Sequence, residues 1–285
     1  MTICGVGLIG GSLALAARRE GLVERIVGFG RGEANLKLAI ERKIIDLATR
    51  DPSVAAHGAD LVVLATPIRS LAPTLKALAP SLPPTAVITD VGSVKQSVVE
   101  ALEPILGPAM ALVAAHPIAG RETTGAGAAD ADLFVGARVI ITPSKRSTPG
   151  AIDAIEQMWL ATGARVEQLP PDIHDILLAR ASHLPQLSAT ALAAALEDAT
   201  VDGRWAADYG AGGLRDTTRL AASSADMWVD ICLTNRAAIL DALSTMTASL
   251  AELTSLVERG DEAGLRAIFE RGARMRRRLG GSGTA

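Results

Sequence analysis

One of the four histidines in this 285-residue chain stands where an imidazole could move a proton. His116 opens His116-Pro117-Ile118-Ala119-Gly120 at the end of the apolar run Leu112-Val113-Ala114-Ala115, the pattern of a side chain held at a strand end. Its ordinary pKa near neutrality suits it to take a proton while a hydride leaves a neighbouring carbon. A hydride acceptor is implied by Gly5-Val6-Gly7-Leu8-Ile9-Gly10, a GxGxxG that follows an apolar strand and opens an Ala/Leu-rich helix. In that context Gly5 permits the tight turn, Gly7 lets a pyrophosphate approach the backbone, and Gly10 allows close helix-strand packing, with phosphates at the helix N-terminus. Leu8, Ile9, and Thr66-Pro67 at the end of a later apolar run, belong to the same expected dinucleotide site. Taken alone, the loop could also be a glycine-rich turn with no ligand.

Cofactor choice is read at the end of the second strand, where an acid favours NAD and an arginine accommodates a 2′-phosphate. The chain has Phe29-Gly30-Arg31-Gly32-Glu33, glycine where the acid would stand and Arg31 after it, so the reading leans to NADP over NAD. The other possibility is that Arg31 stacks on adenine and either cofactor serves.

The elements that must hold these residues alternate in the first part of the chain. Met1-Cys4, Arg25-Phe29, Leu61-Thr66, Ala86-Asp90, Leu112-Ala115, Arg138-Thr142 and Arg165-Gln168 read as strands, and Gly11-Arg19, Glu33-Arg42, Ile68-Leu78, Lys95-Leu106 and Pro149-Thr162 as helices between them. That alternation predicts an α/β Rossmann-type domain, a parallel sheet covered by helices on both faces. Cys4 leaves only four residues for the first strand, so it is expected to be clipped or to start upstream. After Pro170-Pro171 no strand-like run appears, and helical spacing dominates Asp172-Leu196, Ala225-Arg259 and Glu262-Arg278. The expected domains are therefore residues 1–170, nucleotide-binding, and 171–285, all-α. The apolar stretch from Trp228 to Val257 suggests packing beyond its own domain, and a homodimer is expected through it.

Composition excludes several classes. A formal charge of −3 argues against nucleic acid as the main partner, and Arg274-Met275-Arg276-Arg277-Arg278 reads as a solvated helix end. Two cysteines are too few for a disulfide framework or a zinc site, which points to a cytoplasmic protein. No uninterrupted apolar stretch reaches membrane-spanning length, so no membrane partner is expected.

Five blocks, in order and spacing, carry a family resemblance. They are Gly5-Val-Gly-Leu-Ile-Gly-Gly-Ser12, Thr89-Asp-Val-Gly-Ser-Val-Lys95, His116-Pro-Ile-Ala-Gly-Arg-Glu122, Ser182-His-Leu-Pro185 and Gly213-Leu-Arg-Asp-Thr-Thr-Arg219. Together they resemble the prephenate/arogenate dehydrogenases of tyrosine biosynthesis over nearly the whole chain. The resemblance implies oxidative decarboxylation of a cyclohexadienyl substrate, prephenate or arogenate, with hydride transfer to NAD(P)+ and a helical dimerisation domain. It makes His116 the acceptor of the ring hydroxyl proton and Ser93 its partner on that hydroxyl, although Ser93 also reads as a helix N-cap.

The substrate's two carboxylates call for fixed cations. By the resemblance, Arg219 and Arg215 supply them, four residues apart and so on one face of a helix. Glu122 and Asp175 are implied to gate the pocket through ionic contacts with Arg219, with solvated surface charge as the alternative. Within Ser182-His183-Leu184-Pro185, His183 is expected to orient substrate or cofactor, or to sit at a helix interface. Gln186 stands where many members have a second histidine and bears on prephenate against arogenate. Trp228 is expected near the pocket or as a buried anchor. Two other functions fit the loop and the domain order, a β-hydroxyacid dehydrogenase-like oxidoreductase and a nonenzymatic dinucleotide-binding redox sensor. The former would need a catalytic lysine motif that 181–196 lacks.

Overall fold

The computed structural model describes residues 1–121 and 123–281. It falls into two compact units, Met1–Arg236 and Ala237–Ala285.

The first unit is built on an eight-stranded sheet ordered β3-β2-β1-β4-β5-β6-β7-β8. Its strands are β1 (Thr2–Cys4), β2 (Val27–Phe29), β3 (Leu47–Thr49), β4 (Leu61–Leu64), β5 (Val87–Asp90), β6 (Ala111–Ile118), β7 (Arg138–Pro143) and β8 (Arg165–Gln168). Helices α1 (Leu8–Arg19), α2 (Glu33–Glu41), α3 (Pro52–Ala56), α4 (Ile68–Leu78), α5 (Gln96–Leu102) and α6 (Pro149–Ala161) connect them. Each central strand is apolar on both faces, as a sheet covered on both sides requires. Ile3, Val63, Val113 and Ala115 enter one core, together with Leu13 of α1 and Ile155 and Trp159 of α6. Cys4, Val62, Leu64, Ile88, Leu112 and Ala114 enter the other, with Leu71 and Leu75 of α4 and Val98 and Leu102 of α5. On a period of two, Asp90 follows Ile88 and His116 follows Leu112 and Ala114, so both polar side chains stand on the second face at carboxyl strand ends.

Two features of the sheet depart from the expectation. The pairs are parallel with one exception, β6 against β7, which run antiparallel with His116 opposite Ile140. Among the described residues, their 119–137 connection contains only a short 3-10 turn, Ala126–Ala128, and no crossover helix to return the chain in the same direction. The half-buried edge strand β3 is three residues long, too short for periodicity to register. Strand β1, three residues long, pairs on both sides, with β2 and with β4.

Beyond β8 come α7 (Pro171–Leu178), α8 (Leu184–Leu196), α9 (Gly212–Thr218) and α10 (Ala225–Thr234). A π segment, Ala179–His183, joins α7 to α8, and the 3-10 turn Arg219–Ala222 follows α9. One small hairpin, β9 (Thr200–Val201) with β10 (Arg204–Trp205), breaks the expectation of an all-helical second half. The long pattern expected over Ala225–Arg259 is interrupted at Asn235, whose backbone leaves helical geometry.

The second unit consists of α11 (Arg236–Glu258) and α12 (Glu262–Gly281), turned by Gly260 at φ +61. The two helices are clipped by the ion pair Arg271–Glu252 at 2.7 Å, while Leu240, Leu250, Val257, Phe269 and Met275 stay more than half exposed. Among the described residues no helix is long and apolar enough to cross a membrane.

Candidate active site

The glycine loop between β1 and α1 divides its labour among three glycines. Gly5 holds φ +94, and a Cβ there would lie 2.5 Å from the Ala65 carbonyl oxygen, so the turn and the approach to 65–66 both need glycine. A Cβ at Gly10 would lie 2.4 Å from the Gly5 carbonyl oxygen and 2.9 Å from Ile3, because helix and strand are in direct contact there. Gly7 meets nothing within 4 Å, so its bare face opens outward. It caps α1 without any side-chain hydrogen bond, which leaves the first-turn amides of Leu8, Ile9 and Gly10 as donors for an anion. Gly5 N donates to Phe29 O at 2.8 Å, and Asn35 Nδ2 donates to Val6 O at 2.7 Å while its Oδ1 accepts from Ala126 N. Thr66 and Pro67 follow β4 beside Gly5, with the buried Thr66 hydroxyl lacking a protein partner. Arg31 is exposed just beyond β2. These features fit a dinucleotide: a cradle with room, unspent backbone donors and a cation at the end of β2.

A second group of side chains gathers at the carboxyl ends of β5 and β6. Lys95 and Asp90 form an ion pair with both side chains fully buried. Lys95 Nζ also donates to Ala115 O at 2.8 Å, and Asp90 accepts from Gly92 N at 2.7 Å and from Ala115 N at 3.3 Å. Burial pushes the Lys95 ammonium down, opposed by Asp90 and then Asp175. The pair bolts the 91–95 turn, which carries the half-buried Ser93, to the strand residue preceding His116. Ser93 is not a helix cap: α5 begins at Gln96, with Lys95 in the cap position and no side-chain cap bond.

His116 is 8% exposed, and its Nδ1 lies 2.9 Å from Nε2 of His174 on α7. His174 Nδ1 is 2.8 Å from Asp175 Oδ1. Asp175 also accepts from Lys95 N at 2.7 Å and Gln96 N at 2.9 Å, and its backbone carbonyl accepts from Asn235 Nδ2. Asp175 is 4% exposed and its carboxylate is spent on these partners, so it is a buried anchor and not the solvated surface charge of its alternative reading. Burial, then His174, Lys95 and His183, holds the His116 imidazole well below its usual pKa, so the free base is its resting form.

His183 is 1% exposed, with Nδ1 3.3 Å from Asn235 Nδ2 and its ring edge-on to Trp228 at 5.8 Å. Burial lowers its pKa to about 4. Nε2 of His183 and Nε1 of Trp228 are both buried without a protein partner. Gln186 is also buried, donating to Leu220 O at 2.8 Å and accepting from Ser223 Oγ at 3.4 Å, so it pins the 219–222 turn to α8. Arg215 sits on α9 and Arg219 opens that turn, so one α-helix does not carry both; both are exposed, as is Ser182 in the π segment. Glu122 lies outside the described residues.

Residues 13–168 match the family model described as "Prephenate dehydrogenase, nucleotide-binding domain", and residues 170–271 match "Prephenate dehydrogenase, dimerization domain". The chain belongs to the prephenate dehydrogenase family. It is 35% identical to the cyclohexadienyl dehydrogenase of Zymomonas mobilis over 92% of its own length and 89% of that protein's. Among solved structures, it superposes with a TM-score of 0.91 on prephenate dehydrogenase from A. aeolicus in complex with hydroxyphenyl propionate and NAD+, at 33% identity over 98% of this chain and 97% of that one. Synechocystis arogenate dehydrogenase follows at a TM-score of 0.84 and 29% identity, over 98% of this chain and 99% of that one. Membership makes the chain an NAD(P)-dependent dehydrogenase and disfavours both the β-hydroxyacid dehydrogenase-like reading and the redox-sensor reading.

Sequence reasoning missed His174, Asn235, Asn35 and the Asp90–Lys95 pair. Asp90 and Lys95 both lie within the Thr89–Lys95 block, and only their burial marks them as a pair. His174 adjoins Asp175, but nothing local says that it meets a strand end 58 residues away.

Proposed function

We propose that the protein oxidises and decarboxylates prephenate or arogenate, with His116 as the base that takes the ring hydroxyl proton. The observation that carries this reading is a buried, neutral imidazole at the carboxyl end of β6, in the same sheet as a glycine loop with unspent backbone donors. Bound NAD(P)+ supplies the hydride acceptor. The hydroxyl proton passes to His116 as the carbinol carbon becomes a carbonyl. The bond to the ring carboxylate then breaks, carbon dioxide leaves, and the electron pair aromatises the ring. The resulting phenolate oxygen recovers the proton from His116, so no net proton is released in the conversion of prephenate. Aromatisation makes the sequence effectively irreversible.

Ser93 shares the hydroxyl with His116, and Arg219 and Arg215 take the carboxylates as planar, permanently charged donors. His183 Nε2 and Trp228 Nε1, two buried donors without protein acceptors, suit an acceptor on the substrate. Gln186 and Ser182 shape this side of the pocket, Gln186 by fixing the turn that begins at Arg219. Gly5, Gly7, Leu8, Ile9, Gly10, Thr66 and Pro67 hold the cofactor. Glycine at position 30 and an exposed Arg31 support NADP over NAD.

Residues 1–170 are read as the cofactor domain and 171–285 as the substrate and dimerisation domain of a homodimer. The large exposed apolar side chains of α11 and α12 support that assembly. Two free cysteines accord with a reducing, cytoplasmic setting. A four-way assay crossing prephenate and arogenate with NAD and NADP tests the reading. Production of NADPH and carbon dioxide from one of the two substrates is expected, and no turnover in any of the four combinations would overturn it.

A further inference from the structure

His174 is a fully enclosed imidazole with both ring nitrogens matched, and the reaction outlined above gives it no step. We propose that His174 is a positioning residue which, anchored by Asp175, fixes the tautomer of His116 so that the lone pair of the base sits on Nε2. The inference rests on the reading of His116 as the base.

Asp175 receives two backbone N–H groups, from Lys95 at 2.7 Å and Gln96 at 2.9 Å, so its carboxylate is a fixed acceptor. His174 Nδ1, 2.8 Å from the same carboxylate, must carry the proton of that contact. In the proposed arrangement that is the ring's one proton, which places the His174 lone pair on Nε2. His116 Nδ1, 2.9 Å from it, must supply the proton of the second contact. One nitrogen of neutral His116 is thereby committed as N–H, and Nε2 is left as the acceptor. Without His174 nothing holds the proton on Nδ1, and an Nε2–H tautomer has no lone pair to offer the substrate hydroxyl.

The same chain of contacts serves the protonated state. When His116 takes the hydroxyl proton on Nε2, its Nδ1–H stays on His174 and its ring stays oriented. The proton remains on His116 until the phenolate recovers it, and none moves to His174 or Asp175. The charged and titratable groups around His116 come from three elements: His174 and Asp175 on α7, Asp90 and Lys95 at the β5–α5 turn, and His183 in the π segment. Burial first, then His174, Lys95 despite its pairing with Asp90, and His183 all disfavour charge on His116, so the imidazole returns to its neutral form once the phenolate takes the proton.

The test compares His174→Leu, which removes the acceptor, with His174→Gln, whose Oε1 can accept from His116 Nδ1–H. His174→Leu is expected to lose on the order of 100-fold in kcat, with KM and cofactor Kd within about twofold, because general-base catalysis on this scale is what a wrong tautomer forfeits. His174→Gln should recover roughly tenfold of that loss. In parallel, 15N NMR of the imidazoles in the wild-type protein should show neutral His116 protonated on Nδ1 and bare on Nε2, shifting toward Nε2–H in His174→Leu. Wild-type kcat in His174→Leu, no advantage of Gln over Leu in folded protein, or an Nε2–H tautomer in the wild type would each overturn the proposal. The NMR measurement stands even if a variant fails to fold. His116→Asn separates the two readings: an inactive His116→Asn beside a fully active His174→Leu removes the positioning role of His174 alone, whereas an active His116→Asn removes the base assignment itself.

Discussion

Replacing Lys95 with methionine removes one charge from an ion pair whose two side chains are both fully buried. Breaking such a pair leaves the other charge stranded and costs about 3–5 kcal/mol. Asp90 keeps two backbone donors, Gly92 N at 2.7 Å and the longer Ala115 N at 3.3 Å, so the lower end of that range, about 3 kcal/mol, is expected. Urea unfolding at fixed protein concentration reads the loss as a lower midpoint. Asp90→Asn alone should also destabilise, but the double variant Asp90→Asn/Lys95→Met leaves no buried charge and should lose less than the sum of the two single losses, by about 2 kcal/mol or more. The turn that carries Ser93 is held through this pair, so kcat should fall in Lys95→Met more than KM rises. An unchanged urea midpoint in Lys95→Met, or strict additivity in the double variant, would refute the argument that this pair fastens the loop to β6.

The glycine loop gives a sharper pair. Gly7→Ala meets no atom within 4 Å and should leave the thermal midpoint in place while weakening cofactor binding at least about tenfold; Gly10→Ala forces the helix off the strand and should lower both, as fluorescence titration and thermal melts would reveal. At the chemical centre, His116→Asn should retain cofactor affinity and lose at least about 100-fold in kcat, whereas Arg219→Ala should act mainly on KM in steady-state kinetics. The pH dependence follows from burial. His183, with a pKa near 4, and His116, well below 6.5, stay neutral in the folded chain while the unfolded chain binds protons below about 6.5. Their contribution to stability is therefore complete above about 6.5 and is lost as the pH falls toward 4, which urea midpoints across that window would show. The acid limb of kcat/KM should likewise lie below 6.5, and a limb at or above 7 would contradict a neutral resting His116.

Much of the cofactor half was legible locally. A turn that only glycine can make, a strand before it and a helix after it occupy one short stretch of chain, and the unbroken apolar runs of β4 and β6 announce strands covered on both faces. The direction of β7 was not legible, because the 119–137 connection has no periodicity to say whether it crosses over. Gln186 shows another limit: its type suggested a substrate contact, but its amide is spent on the backbone and side chain of the 219–223 segment.

By itself, the sequence determined the Rossmann-type alternation, the glycine loop, and His116 at the end of a strand, since each depends on residues adjacent in the chain. Tertiary structure alone decided what His116 touches. Asp175 reads as a surface acid until α7 packs beside α5 and its carboxylate takes the amides of Lys95 and Gln96. His174 has no role in the sequence until the same packing brings it within 2.9 Å of His116. The physical reason is that burial, which turns Lys95 and Asp90 into a bolt and His116 into a neutral base, is a property of elements far apart in the chain and is set only when they close on one another.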